Sequence, residues 1–136
     1  MKKVLILGGA GYIGTRLREV LRERHFVKTN DICWFSYDET SDSRDYQKLS
    51  RKELAEFEVI IVLAGHSSVP SCLGALYSPW LNNVTNFTNL LDKLDDQLVI
   101  YASSASVYGN SAPGQRHLSL IHISEPTRQA EISYAV

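Results

Sequence analysis

The stretch KVLILGGAGYIG, Lys3 to Gly14, constrains this chain more than any other. Its apolar run, taken with Lys3 as a strand over Lys3–Leu7, suits a strand buried on both faces of a parallel sheet. Glycine ends the run at once. From Ile13 the apolar residues fall at Ile13, Leu17, Val20 and Leu21, with Arg16, Arg18, Glu19, Arg22 and Glu23 between them, the pattern of a one-sided helix. A buried strand, a glycine turn and an amphipathic helix in direct succession open an α/β layer structure. The same run behind Lys2 and Lys3 superficially resembles a signal peptide, but it is too short and glycines break it. No apolar stretch in the sequence is long enough to span a bilayer.

The rest of the chain continues the alternation. His25–Asn30, Val59–Leu63 and Leu98–Ala102 read as further strands, with the Lys3 strand expected in a central position. Asp31 to Tyr46 is polar and poorly patterned. Ser50 with Glu53 makes a capping box, Leu49 with Leu54 its hydrophobic staple, and together they predict a short helix over roughly Arg51 to Phe57. Ser67 to Tyr77 is loop-like. Ser78 followed by Pro79 predicts an N-cap and first helical position, for a helix with Leu81, Val84, Phe87, Leu91 and Leu94 on its buried face. Apolar strands alternating with helices give an α/β fold with a parallel sheet and right-handed crossovers.

Gly8, Gly11 and Gly14 form G-x-x-G-x-x-G between the first strand and the first helix. A dinucleotide needs glycine here for three reasons: a tight turn, an approach of backbone to pyrophosphate without an intervening side chain, and close contact between helix and strand. The helix N-terminus adds free N–H groups and the positive end of its dipole. A plain strand-to-helix turn would also use glycine. Asp31, at the end of the second strand and about 20 residues on, is the acidic partner the motif requires. Its carboxylate would accept hydrogen bonds from the adenosine ribose and repel a 2′-phosphate, which favours NAD over NADP. Arg16 could serve a 2′-phosphate, although a solvated charge on the helix face explains it as well.

Composition excludes several classes. The formal net charge of -1 argues against nucleic acid or an anionic membrane as partner. Cys33 and Cys72 have no CxxC spacing and are expected as reduced thiols in a cytoplasmic protein, with a disulfide as the alternative.

Further stretches carry a family resemblance. GGAGYIG at Gly8–Gly14, VIIVLAGHSSV at Val59–Val69, LNNV at Leu81–Val84 and YASSASVYG at Tyr101–Gly109 occur in the order found in the extended short-chain dehydrogenase/reductase family, the NAD-dependent epimerases and dehydratases of nucleotide sugars, which the chain resembles from Met1 to Gly109. The resemblance implies a Rossmann-type doubly wound parallel sheet, here truncated. It implies NAD contacts at Gly8, Gly11, Tyr12, Ile13, Gly14 and Asp31. Ala64 and Gly65 would line the cleft near the cofactor riboses. Asn83 would take the place of the family's structural asparagine beside the cofactor. Asp42 resembles the residue that meets the adenine amino group, and an Asp at a tight turn is the competing explanation. Ser104 falls at the catalytic serine/threonine position, where its hydroxyl would hydrogen-bond the substrate oxygen whose carbon loses and regains a hydride. The partner implied is a nucleotide sugar in the full-length parent, with a homodimer an open option for its assembly.

The chain also departs from that pattern. Val62 stands where the family has histidine, and the segment between Asp31 and Asp42 is short enough to abbreviate or remove a third strand. The family's base is a tyrosine with lysine four residues later, whose charge lowers the phenol pKa. No tyrosine here has that partner, and no lysine follows Lys93. Residues 118–136 offer a reason: LSLIHISEPTR and ISYAV resemble the in-frame translation of a transposase-type sequencing adapter on either side of a spacer. The expectation is therefore an incomplete NAD-binding domain over residues 1–117, an artefactual tail over 118–136, and no metal site at His117, His122 and Glu125. The parent is expected to be an enzyme and this fragment inactive. A non-catalytic NAD(P)-binding regulator is the rival reading, and the serine at 104 speaks for the enzyme.

Overall fold

A computed structural model describes residues 1–34, 38–67, 69–73 and 77–103. Met1–Ala102 forms one compact unit. Its sheet has four strands, β1 (Lys3–Leu7), β2 (Phe26–Asn30), β3 (Val59–Val62) and β4 (Leu98–Tyr101), in the order β2-β1-β3-β4. All pairings are parallel, with Leu5 opposite Lys28 on one side and Ile60 on the other. The Lys3 strand is thus central, as its unbroken apolar character predicts.

The helices are α1 (Tyr12–Arg22), α2 (Arg51–Leu54), α3 (Val69–Leu73), α4 (Tyr77–Trp80) and α5 (Asn86–Leu91), with a 3₁₀ turn at Tyr46–Lys48 and a π-helical segment at Leu81–Thr85. Successive side chains of a strand point to opposite faces, and β1 divides accordingly. Val4 and Ile6 join Val27, Val59 and Ile61 under Leu17 and Leu21 of α1. Leu5 and Leu7 join Tyr46, Leu49, Leu54, Ile60 and Leu90 on the other face. The sheet is therefore covered on both faces over β1 and β3, which is what requires Val4–Leu7 and Val59–Val62 to be apolar.

Several helical expectations need correction. The Ser50–Glu53 capping box forms, but α2 ends at Leu54 rather than Phe57. The amides of Glu56 and Phe57 bond to carbonyls three residues back, so the last turn tightens out of α geometry. Within α1, Ile13 and Val20 are 63% and 50% exposed, and the buried stripe is Gly14, Leu17 and Leu21. The loop expected over Ser67–Tyr77 contains α3, and Ser78 lies inside α4 instead of capping it. The π segment widens the helix by one residue per turn. As a result Asn83, Phe87, Leu90 and Leu94 point inward, with Leu90 buried, whereas Leu81, Val84 and Leu91 are exposed.

Candidate functional site

The sheet gathers its loops at the carboxyl ends of the strands. Gly8 has φ +87, and a Cβ there would lie 2.6 Å from the Ala64 amide nitrogen, so the turn after β1 rests on the backbone that leaves β3. The Leu63 and Ala64 amides both donate to the Leu7 carbonyl, and the Gly8 amide donates to Asn30 O of β2. A Cβ on Gly14 would stand 2.3 Å from Gly8 O and 2.8 Å from Gly9 Cα, which presses α1 against the loop. Gly9 sits on Thr29, whose Cβ and Cγ2 would be 2.5 Å from an added methyl.

Gly11 is different. A Cβ there would meet only Gly8 O, at 3.4 Å, an ordinary contact. It is the N-cap of α1 in extended conformation, with no side-chain cap and no acidic residue in the first turn. The amide donors of that turn are thus presented beside open space, the geometry of an anion seat. Tyr12 is 96% exposed, so side chains of the loop leave the backbone bare.

Asp31 closes one side. Its Oδ2 accepts from the Ala10 amide at 3.0 Å and its Oδ1 from the Cys33 amide at 2.8 Å. Cys33 has φ +56, in the left-handed region. Arg18 pairs with Asp38 and donates to Thr40 Oγ1 at 3.1 Å, tying the following segment to α1. Hydrogen bonds from Thr40, then the Arg18 guanidinium, hold the Asp38 carboxyl below its ordinary range. The abbreviated third strand survives as a single parallel bridge, Asn30 to Asp42. Asn30 is buried and its Nδ2 donates to Asp42 O and Arg44 O, fixing that bridge. The Asp42 carboxylate accepts from the Arg44 amide two residues on and from its guanidinium, and these bonds lower its pKa. The tight-turn role is present, and Asp42 also lines a cleft of about 200 Å³ that it shares with Leu5, Lys28, Arg44 and Phe57.

The other side is held by Asn83. Its Oδ1 accepts from the His66 amide at 2.8 Å and its Nδ2 donates to His66 O at 3.0 Å. The same Oδ1 lies 3.0 Å from where a Cβ on Gly65 would be, so any larger residue at 65 would press on the asparagine. The His66 ring stands edge-on to Trp34, with centroids 6.0 Å apart, and its Nε2 is 3.4 Å from Ser78 Oγ.

Residues 4–131 match the sequence profile described as the NAD dependent epimerase/dehydratase family. The chain belongs to that family. The match runs beyond His117 into the segment read as foreign. A UDP-glucose 4-epimerase of Lactobacillus helveticus is 30% identical over 123 residues, 79% of this chain and 37% of that protein. The N-acetyl-alpha-D-glucosaminyl-diphospho-ditrans,octacis-undecaprenol 4-epimerase of Escherichia coli O157:H7 is 27% identical over 137 residues, 94% and 41% of the two chains. Among solved structures, the UDP-glucose-4-epimerase from Stenotrophomonas maltophila with bound NAD and formylated UDP-arabinopyranose superposes with TM-score 0.69 at 25% identity, covering 87% of this chain and 40% of that one. The chain thus spans about two fifths of the length of its curated relatives.

The α/β sheet is of the Rossmann type shared by these epimerases. Gly8, Gly11, Tyr12, Ile13, Gly14 and Asp31 come together at the carboxyl end of β1, and Ala64, Gly65 and Asn83 at the neighbouring end of β3. Ser104 lies outside the described residues. Arg16 pairs with Glu19 at 2.7 Å on an exposed helix face, the solvated-charge reading of that residue. Gly9, Arg18, Trp34 and His66 escaped the sequence reading. For Gly9 the signal was present, because a fourth glycine adjoins the motif. Arg18 had none, since its partner Asp38 lies 20 residues away in an unpatterned loop. Cys33 and Cys72 are free thiols. No helix among the described residues is long and apolar enough to cross a membrane.

Proposed function

We propose that this chain is the cofactor-binding part of a nucleotide-sugar epimerase or dehydratase, and that it holds NAD against the Gly8–Gly14 loop. The observation that carries this reading is the contrast among the glycines. Gly8, Gly9 and Gly14 are required by the protein's own atoms, while Gly11 borders open space at an uncapped helix start. A Cβ at Gly11 would intrude on that space and nothing else, which is the condition for a pyrophosphate to approach the backbone.

In this reading the first-turn amides of α1 receive the phosphates. Asp31, oriented by the Ala10 amide, accepts from the ribose hydroxyls and selects NAD over NADP. Ala64 and Gly65 form the opposite wall, which Asn83 keeps in place. When bound there, NAD would supply the hydride acceptor and donor for a sugar carbon of the parent's substrate. Ser104 hydrogen-bonds the sugar oxygen, and the base that takes its proton belongs to a Tyr-x-x-x-Lys pair downstream of Gly109 in the parent. Residues 1–117 are the functional part and 118–136 have no role. The UDP-sugar relatives support a nucleotide sugar as the parent's substrate.

Calorimetric titration with NAD and NADP tests the cofactor reading. Saturable NAD binding, tighter than NADP, is expected, and tighter NADP binding would transfer the ribose role from Asp31 to Arg16. Met1–Val136 supplied with NAD and UDP-glucose should show no epimerisation above a Ser104→Ala control, because general acid–base catalysis supplies about 10²–10⁴-fold in rate and the base is missing. Reading the gene beyond Gly109 in genomic DNA should reveal the Tyr-x-x-x-Lys pair.

A further inference from the structure

We infer that Gln47, together with Tyr46, is a positioning residue of the cofactor site. The 3₁₀ turn that carries them grips the π-helical segment and sets the rotation of Asn83 against the backbone of Gly65 and His66. This inference rests on the proposed NAD site and adds to it a support from outside the glycine loop. Three observations carry it. First, the grip falls on both sides of Asn83. The Tyr46 hydroxyl donates to Asn82 O at 3.5 Å, and Gln47 Nε2 donates to Asn86 O at 2.8 Å. Asn86 is the residue whose amide closes the widened turn on Leu81 O. Second, the 3₁₀ turn is itself fixed. Asp45 Oδ1 accepts from the Gln47 amide at 2.9 Å, the Lys93 ammonium donates to Gln47 O and Leu49 O, and Tyr46 is buried in the core with Leu5, Leu7 and Leu90. Gln47 is thus held at its amide, its carbonyl and its side chain. Third, Asn83 has a task that depends on its angle. It accepts from the His66 amide and donates to the His66 carbonyl at once, a paired geometry that tolerates little rotation.

The physical link is the phase of the helix. A π turn holds one residue more than an α turn. If the segment relaxed to α geometry while Leu90 kept its place in the core, the residues before it would rotate by about 100° around the axis, the angle of one residue. Asn83 would then turn away from His66, and the chain leaving β3 would lose its stay. π turns are rare, and hydrogen bonds from outside the helix favour this one over the regular alternative. Gln47 supplies such a bond at the residue that closes the turn.

Two variants and two readouts test this. Gln47→Met keeps the length of the side chain and removes its donor, and Tyr46→Phe removes only the hydroxyl. The first readout is hydrogen exchange of the His66 amide by NMR without cofactor, since Asn83 Oδ1 is the acceptor for that amide. Gln47→Met should speed this exchange by roughly fivefold or more relative to the amides of β3, and Tyr46→Phe should move it in the same direction. The second readout is calorimetric titration with NAD. Gln47→Met should weaken binding by about fivefold in the native background. In an Asn83→Ala background it should weaken binding by less than about twofold, because a residue that acts through Asn83 then has nothing left to position. A merely structural role would lower the urea midpoint and leave both readouts in place. Unchanged His66 exchange in Gln47→Met, or equal losses of NAD affinity with and without Asn83, would overturn the inference. If Gln47→Met does not fold, the His66 exchange of Tyr46→Phe decides. Absence of NAD binding by the unaltered chain would overturn the cofactor reading, and the His66 exchange, measured without cofactor, would still decide the grip on Asn83.

Discussion

Replacing Gly11 by alanine should separate binding from folding. An alanine at 11 keeps its backbone, φ -70 and ψ 170, in an ordinary extended conformation, and its Cβ finds only an ordinary contact at 3.4 Å. Two small effects on stability oppose each other. Alanine reduces the freedom of the unfolded chain, worth about 0.4–1 kcal/mol, and is a poorer N-cap than glycine by roughly the same amount. The net change should lie within about 0.5 kcal/mol of zero. Gly14→Ala is the contrast. Its Cβ would lie 2.3 Å from Gly8 O and 2.8 Å from Gly9 Cα, backbone atoms that no rotamer change can move. Overfilling of this kind costs up to about 3 kcal/mol, offset by about 1 kcal/mol of helix propensity, which leaves about 2 kcal/mol of destabilisation. Against a total of roughly 5–15 kcal/mol, that is a visible loss. Urea unfolding measures the first quantity and calorimetry with NAD the second. Gly11→Ala should unfold like the parent and bind NAD at least about tenfold more weakly, a loss of about 1.4 kcal/mol. Unchanged NAD affinity would refute the assignment of the open space at Gly11 to the pyrophosphate. A large loss of stability would refute the reading of Gly11 as sterically unconstrained.

Other perturbations probe the supports of the site. Asn83→Ala removes both bonds to the His66 backbone and should cost about 1–3 kcal/mol by urea unfolding. Thr29 Oγ1 is buried with no hydrogen-bond partner, so Thr29→Val should raise the urea midpoint, by about 1 kcal/mol in stability. Acid should weaken the chain through Glu53, whose pKa the Ser50 amide and hydroxyl and the Arg44 guanidinium lower to about 2. A carboxylate depressed on folding contributes stability that is present above its ordinary pKa and is lost as pH falls towards the folded value. The thermal midpoint should therefore drop between about pH 4.5 and 2, and Glu53→Gln should flatten that part of the profile.

The strands were readable because burial on both faces leaves no polar position, and Val4–Leu7 and Val59–Val62 satisfy that condition. The capping box at Ser50 was readable because its two partners are three residues apart. Where partners are distant in sequence, the reading failed. The π segment at Leu81–Thr85 shifts the phase of the helix, so a regular spacing pointed to Leu91 when Leu90 is the buried residue. Ser78–Pro79 had the chemistry of a helix start, yet the chain is already helical at Tyr77. At the site, the glycine spacing and Asp31 marked the phosphate and ribose regions. The Trp34–His66 contact could not be foreseen, because it depends on a left-handed Cys33 that no local rule requires.

The contact of Gly8 with the Leu63–Ala64 backbone bears on how cofactor preference could be redesigned. Two main-chain segments that meet without side chains between them form a fixed-length joint, and neither can gain or lose a residue without displacing the other. Lengthening the glycine loop would also drive α1 off the sheet. Among the described residues, the segment between Asp31 and Asp42 is attached differently, by the bridge at Asn30, by Arg18 to Asp38 and Thr40, and by the ring contact of Trp34 with His66. It is a tether whose length and chemistry can vary while the sheet keeps its register. Libraries aimed at exchanging NAD for NADP therefore belong in that tether, with the Gly8–Gly14 loop left as the fixed reference.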